Sequence, residues 1–178
     1  MKDIPVARRY AKALLSAVSE PSALDGALGD IKNLAALYEE SRALKVTLNN
    51  PAFSATDKRT ALDAVLAEMG AGDKSGSTAR LLLESGRIGL LPAIAAELEL
   101  MVFEKLGRVK VSITSALPLS ADEEKDLSGA VGKMTGKKAV ISVKTDPSLL
   151  GGIVVKIGSS VYDGSVKNQL KALRVSLN

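Results

Sequence analysis

The chain has 178 residues with neither cysteine nor histidine, which excludes a disulfide framework, a Cys/His zinc site, a thiol nucleophile and an imidazole base. That length suits one large domain or two small ones. The net charge of +4 is unevenly placed: residues 1–105 carry 13 Lys+Arg against 14 Asp+Glu, or −1, and residues 106–178 carry 11 against 6, or +5. Such asymmetry suits an acidic partner, nucleic acid or an anionic membrane surface, without choosing among them.

Asp3 ahead of Ile4-Pro5 puts a carboxylate at a cap and a proline in the first turn of a helix. Val6, Tyr10, Leu14 and Val18 then fall four apart, with Ala7, Ala11 and Ala17 on the flanks, so the first helix is amphipathic with a small-residue surface. Small side chains let another helix approach closely, although a plain core stripe also accounts for any single alanine. After Pro21, the residues Leu24, Leu28, Ile31, Leu34, Ala35 and Tyr38 predict a second helix to about Glu40, and a shorter one spans Arg42 to Leu48 before Asn49-Asn50-Pro51 breaks it. Ser54 caps a fourth helix with Leu62, Val65, Leu66 and Met69 on one face, closed by Gly70. Residues 71–77, polar and Gly-rich, read as a connector. They lack the glycine spacing of a phosphate-binding loop and follow no strand. A fifth helix starts at Thr78 with Ala79, Leu82 and Leu83 and stops at Ser85-Gly86, and a sixth runs from Pro92 with Ala95, Leu98, Val102 and Leu106 on one face.

At Gly107 the period changes from helical to two. Val109, Val111 and Ile113 share one face of a half-buried strand, and this change sets the expected boundary between residues 1–106, a six-helix bundle, and residues 107–178, a small α+β domain. Ser120 with Glu123 forms a capping box for a helix carrying Leu127, Ala130, Val131 and Met134. A second strand covers Lys138 to Lys144. Past the Asp146-Pro147 turn and the Gly151-Gly152 pair, Ile153 to Ile157 is apolar on both faces, as suits a central strand. Residues 158–160 turn the chain, Val161 and Tyr162 return as a short strand, and Asp163-Gly164-Ser165 breaks it. The last helix starts at Val166 with Leu170, Leu173 and Leu177 on one side and Lys167, Lys171 and Arg174 on another, a solvated basic face or a docking surface. Asp146 and Asp163 sit in turns, where Asp ordinarily caps backbone. A domain of this size has a marginal core and gains from a partner.

The sequences Val6-Ala-Arg-Arg-Tyr10-Ala-Lys-Ala-Leu14, Leu83-Glu-Ser-Gly-Arg-Ile88, Leu150-Gly-Gly-Ile-Val-Val-Lys-Ile-Gly158 and Asp163-Gly-Ser-Val-Lys-Asn-Gln-Leu170 occur in this order. In them the chain resembles, over essentially its whole length, the delta subunit family of bacterial F-type ATP synthase, counterpart of the mitochondrial oligomycin-sensitivity-conferring protein. The resemblance implies a mainly α protein, an N-terminal six-helix bundle followed by a small C-terminal α/β domain, that acts as a non-catalytic stator subunit present once per complex. It implies that the bundle binds N-terminal segments of the alpha subunits in a groove between the first and fifth helices, which here involves Ala7, Tyr10, Ala11, Leu14, Thr78, Leu82 and Leu83. The C-terminal domain would hold the b subunits of the peripheral stalk, with Gly151, Gly152, Asp163, Gly164 and Ser165 as partner-binding or structural residues. It implies no cofactor, metal or catalytic residue, and a peripheral position on the cytoplasmic face of the inner membrane, touching lipid only through the complex.

The absent chemistry fits that role, since a stator joint resists torque with area and shape rather than with a reactive group, and helix-in-groove binding needs an apolar cleft. Two domains bound to different subunits also raise overall affinity through effective concentration. A basic nucleic-acid adaptor is the alternative, motivated by the C-terminal charge and weakened by a composition of no Trp, three Tyr and two Phe, too few for stacking platforms. An enzyme using carboxylates or lysine ranks last. No apolar run approaches the roughly 20 residues that span a bilayer, and no signal-peptide core follows Lys2-Asp3.

Overall fold

A computed structural model describes the backbone of residues 4–158 and 160–176 and the side chains of these up to Lys171. Asp3, Ser159 and Leu177, and the side chains of Leu173 and Arg174, lie outside the described residues. The chain divides into two compact units, the first ending at Val102 and the second beginning at Phe103.

The first unit is helical. It comprises α1 (Ile4–Ala17), α2 (Pro21–Glu40), α3 (Arg42–Asn49), α4 (Ala55–Glu68), α5 (Asp73–Glu84), a 3-10 turn at Ile88–Leu90 and α6 (Leu91–Lys105), within which the division between the units falls. Local chemistry places the starts: Ser41 accepts from the Leu44 amide and Ser54 from the Asp57 amide, each satisfying a first-turn donor that has no partner inside its helix. Leu14, Leu24, Ile31, Leu34, Leu62, Leu82, Ile88, Leu91, Ile94 and Leu98 are almost wholly excluded from solvent and make the core. Burying each contributes roughly 1.5–3 kcal/mol. Ion pairs tie helices at the rim, Arg8 to Glu97 at 3.0 Å, Lys32 to Glu99 at 2.9 Å and Arg80 to Asp63 at 2.6 Å. Exposed as they are, they fix pairing more than they add stability.

Two expectations change here. Residues 71–77 are not all connector, because Gly72 is the N-cap and Asp73 to Ser77 are the opening turns of α5, with Ser75 and Gly76 buried. A polar, glycine-containing stretch is helical here with Ser75 and Gly76 packed inside, a tertiary effect that overrides propensity. In α1 the buried line is Ala7, Ala11 and Leu14, continued by Val18 just past its end, while Val6 and Tyr10 are half-exposed at the edge. The alanines are therefore the centre of the contact rather than its flank, and Ala17 is exposed.

The second unit comprises β1 (Arg108–Ser115), α7 (Ala121–Thr135), β2 (Lys138–Thr145), a 3-10 turn at Pro147–Leu149, β3 (Ile153–Ile157), β4 (Ser160–Asp163) and α8 (Val166–Ser176). The sheet order is β2-β1-β3-β4. β1 and β2 are parallel from Arg108 opposite Lys138 to Ser115 opposite Thr145, with α7 as the crossover, and β3 runs antiparallel to both β1 and β4. The Ser120–Glu123 capping box is present, and Gly136 ends α7 in the left-handed conformation. Val111, Ile113 and Val131 are the buried centre, with Leu127, Ile141, Val143, Val155 and Ile157 packed around it. On α7 the inward line is Leu127 and Val131 alone. Ala130 and Met134 face solvent, Met134 at 59% exposure, so the inward stripe is narrower than expected. Leu170 of α8 is likewise exposed, at 53%, rather than in a core. With three buried apolar side chains among the described residues, this unit has little margin of its own.

Candidate functional site

The two groups of residues singled out in the sequence fall one in each unit. In the bundle, α1 and α5 pack together. Ala7 and Ala11 on one and Ala79 and Leu82 on the other are completely buried, and Leu14 is 2% exposed. Four of the seven expected groove residues, Ala7, Ala11, Leu14 and Leu82, thus build the seam itself. Small side chains at a helix contact suit a close approach of the two backbones.

Tyr10 is the member that reaches the rim. Its hydroxyl donates to Ser85 Oγ at 3.4 Å, Ser85 donates onward to the Leu81 carbonyl at 2.6 Å, and Arg87 donates to the Tyr10 oxygen at 3.0 Å. The Arg87 guanidinium also lies 6.0 Å from the ring centroid. The bond with Ser85 and then that with Arg87 hold the phenol below the ordinary tyrosine range. Thr78 is half-exposed and donates to the Lys74 carbonyl at 2.9 Å, one turn back along α5. Leu83 turns elsewhere: with Phe53, Thr56, Arg59 and Arg80 it lines a hollow of about 620 Å³ between the start of α4 and α5.

An open apolar cleft does adjoin the α1–α5 pair, at the end opposite Tyr10. Ala17 at the end of α1, Val18 just after it, Ala23, Gly26 and Ala27 of α2, and Ser75 of α5 line a hollow of about 550 Å³, with the charged Glu20, Asp30, Asp73 and Lys74 also in its wall. Small residues among its lining, with open space where a Cβ would stand at Gly26, leave room for a side chain from a partner. The sequence held this signal in the small residues of α2, but they lie off the leucine stripe and gave no reason to look there.

In the second unit the two glycine-bearing turns lock into each other. The Val166 amide donates to the Gly151 carbonyl at 3.0 Å, the Gly164 amide to the Ile153 carbonyl at 3.0 Å, and the Ala116 amide to the Gly152 carbonyl at 3.3 Å. Gly152 has φ +76, and a Cβ there would collide with the Gly164 carbonyl oxygen; one at Gly151 would meet Val166 Cγ2 at 2.9 Å. Asp163 Oδ1 accepts from the Ser165 amide at 2.9 Å, and buried Ser165 accepts from the Asn168 amide at 3.2 Å, capping α8. Hydrogen bonds from Ser165, first its hydroxyl and then its amide, lower the Asp163 carboxyl. These five residues therefore meet as an interlocked structural corner. Just before it, Leu150 holds φ +65 with 71% of its surface exposed. A leucine in that region costs on the order of 1–3 kcal/mol.

Among the described residues no cluster of three or more acidic side chains could hold a metal ion, and no helix is long and apolar enough to cross a membrane.

Comparison with known proteins places this architecture. The family profile "ATP synthase delta (OSCP) subunit" matches residues 6–177. The ATP synthase subunit delta of Citrifermentans bemidjiense is 37% identical over 169 residues, 95% of this chain and 94% of that protein. That of Chlorobium limicola is 38% identical, covering 98% of this chain and 96% of its own length. Among solved structures, a chain of the Toxoplasma gondii mitochondrial ATP synthase hexamer matches with a TM-score of 0.67 at 22% identity, covering 96% of both chains, and so shares the fold.

Proposed function

Because the chain belongs to the ATP synthase delta (OSCP) subunit family, we propose that it works as a coupling held at both ends, the bundle gripping alpha subunits and the second unit gripping the b subunits of the stalk. As a family member it is a non-catalytic stator component of F-type ATP synthase, a peripheral part of a membrane-associated complex that contains the F1 head and the peripheral stalk. Nothing favours a nucleic-acid adaptor.

The observation that carries the two-ended reading is the division into two units, one with an open apolar cleft beside the α1–α5 pair, the other with a thin core. An amphipathic alpha N-terminal segment would lie across α1 and α5 with Tyr10 and Thr78 at its edge and an apolar side chain in the cleft lined by Ala23 and Gly26. Leu83, facing the other hollow, contacts that segment only if it wraps over α5. The complex would place the chain on the cytoplasmic face of the inner membrane, once per synthase. Titration of the chain with a synthetic alpha N-terminal peptide tests the first grip. Binding at tens of micromolar or tighter is expected, about −6 kcal/mol or better, and no complex in that range contradicts it.

A further inference from the structure

A second concave surface of the bundle, separate from the α1–α5 seam, is the hollow between the start of α4 and α5. Its walls are two short helix faces. Ala55, Lys58 and Arg59 recur at three and four along α4, and Arg80, Leu83 and Glu84 do the same along α5, each one position on from the line of buried Ala79 and Leu82. Phe53, 41% exposed, lines the hollow just ahead of α4. The volume of about 620 Å³ lies in the range of roughly 300–1,000 Å³ usual for small-molecule sites. The faces run only over residues 55–59 and 80–84, about 6 Å of helix each. That is too short to seat the several-turn apolar stripe of a partner helix, and long enough for a small molecule.

The lining gives the ligand's chemistry. Three cations, Lys58, Arg59 and Arg80, stand against one carboxylate, Glu84, whereas the cleft beside α1 has Glu20, Asp30 and Asp73 against Lys74. Neighbours do not use these cations up. Asp63 accepts from Arg80 Nε at 2.6 Å and lies 3.9 Å from Arg59 Nε, and Glu84 accepts from Arg59 Nη1 at 3.5 Å. Arg80 is thus oriented through one edge, which leaves its Nη donors for another acceptor. Lys58 is half-buried, and its ammonium has no ion pair or hydrogen bond among the described residues. With Asp63 and Glu84 both counted, three cations face two carboxylates, a balance that suits one negative charge better than a phosphate dianion. Phe53, Ala55 and Leu83 supply the apolar remainder, and an aromatic face favours a flat body.

We propose that the hollow between α4 and α5 binds a small amphiphilic carboxylate, its anion held by Lys58 and Arg80 and its flat apolar body lying against Phe53 and Leu83. Bound there, the ligand braces α4 against α5 and stabilises the bundle by mass action. The proposal is independent of which subunits the two units hold.

The test titrates naphthoate into the full chain and follows backbone amide shifts by NMR. Binding at about 1 mM or tighter is expected, with the largest shifts at Phe53, Lys58 and Leu83 and a raised melting temperature. Lys58→Gln should weaken binding about fivefold or more. Glu84→Gln should tighten it about twofold, by withdrawing a carboxylate that competes for Arg59. Ala55→Trp, at an exposed position, should abolish it by filling the hollow, and Lys74→Gln in the other cleft should leave it unchanged. Naphthylmethanol, the same ring without the charge, should bind at least about fivefold more weakly. No binding of naphthoate up to about 10 mM would overturn the proposal. So would shifts centred on Ala23 and Gly26, equal binding of naphthylmethanol, or wild-type affinity in Lys58→Gln.

Discussion

Gly152 and Gly164 meet backbone to backbone, the α-carbon of the first facing the carbonyl oxygen of the second with no room for a methyl group between them. The loop before β3 and the turn before α8 therefore close on each other, beside a small core. Gly152→Ala should destabilise this unit by about 2 kcal/mol or more, from the clash and the positive φ together. Gly151→Ala, which presses only on Val166, should cost about 1 kcal/mol. Hydrogen exchange of the β3 and β4 amides reads the effect, and protection in Gly152→Ala equal to the wild type would contradict it.

Asp163 links this closure to pH. Its carboxyl lies below the ordinary range when folded, so the stabilisation it gives is present above the unfolded value, near 4, and is lost as pH falls through the folded one. Glu123, held down first by the Ser120 amide, and Asp146, held down first by Ser148, act in the same direction. Acid unfolding followed by circular dichroism should show the second unit losing stability below about pH 4. Asp163→Asn should be less stable at pH 7 and less sensitive to acid. A pH dependence identical to the wild type would rule out this role for Asp163.

Gly26 and Gly29 lie inside α2 with open space where a Cβ would stand. Replacing either by Ala should raise the melting stability of the bundle by roughly 0.5–1 kcal/mol, through helix propensity alone. Gly26→Phe should also fold, since nothing obstructs it, but it should fill the cleft and abolish binding of the alpha segment. Undiminished binding by that variant would move the docking site elsewhere.

Much of this architecture is legible from the sequence because it is local. The capping box at Ser120, the change of period at Gly107 and the leucine stripe of α2 are each written in adjacent residues, and the structure has them where expected. The opening of α5 is not, because Asp73 to Ser77 have the composition of a loop, and the burial of Ser75 and Gly76 is a tertiary fact that adjacent residues do not announce. The sheet order was equally hidden: nothing in β1 or β2 says that they pair in parallel across α7. Helical spacing shows that Ala7, Ala11 and Leu82 face inward, but not that α1 and α5 pack against each other through them. The exposed leucines at 117 and 150 stood in plain view, yet exposure cannot be read from a single residue's type.

Tyr10 separates structure from recognition. Tyr10→Phe removes the bonds to Ser85 and Arg87 and should cost roughly 0.5–1.5 kcal/mol of bundle stability. It keeps the ring and should retain most of the alpha-peptide affinity. Tyr10→Ala should lose about tenfold or more in that affinity, as an aromatic anchor would. Equal affinity of Tyr10→Ala and the wild type, by calorimetric titration, would make Tyr10 a structural residue only.

The two-ended coupling is tested most directly on membranes carrying the synthase, stripped of this chain and then reconstituted with it while ATP-driven proton pumping and retention of the F1 head are followed together. The wild-type chain should restore both, and Gly26→Phe should fail by freeing the head. Stripped membranes that keep the head attached and pump at the full rate would contradict the account.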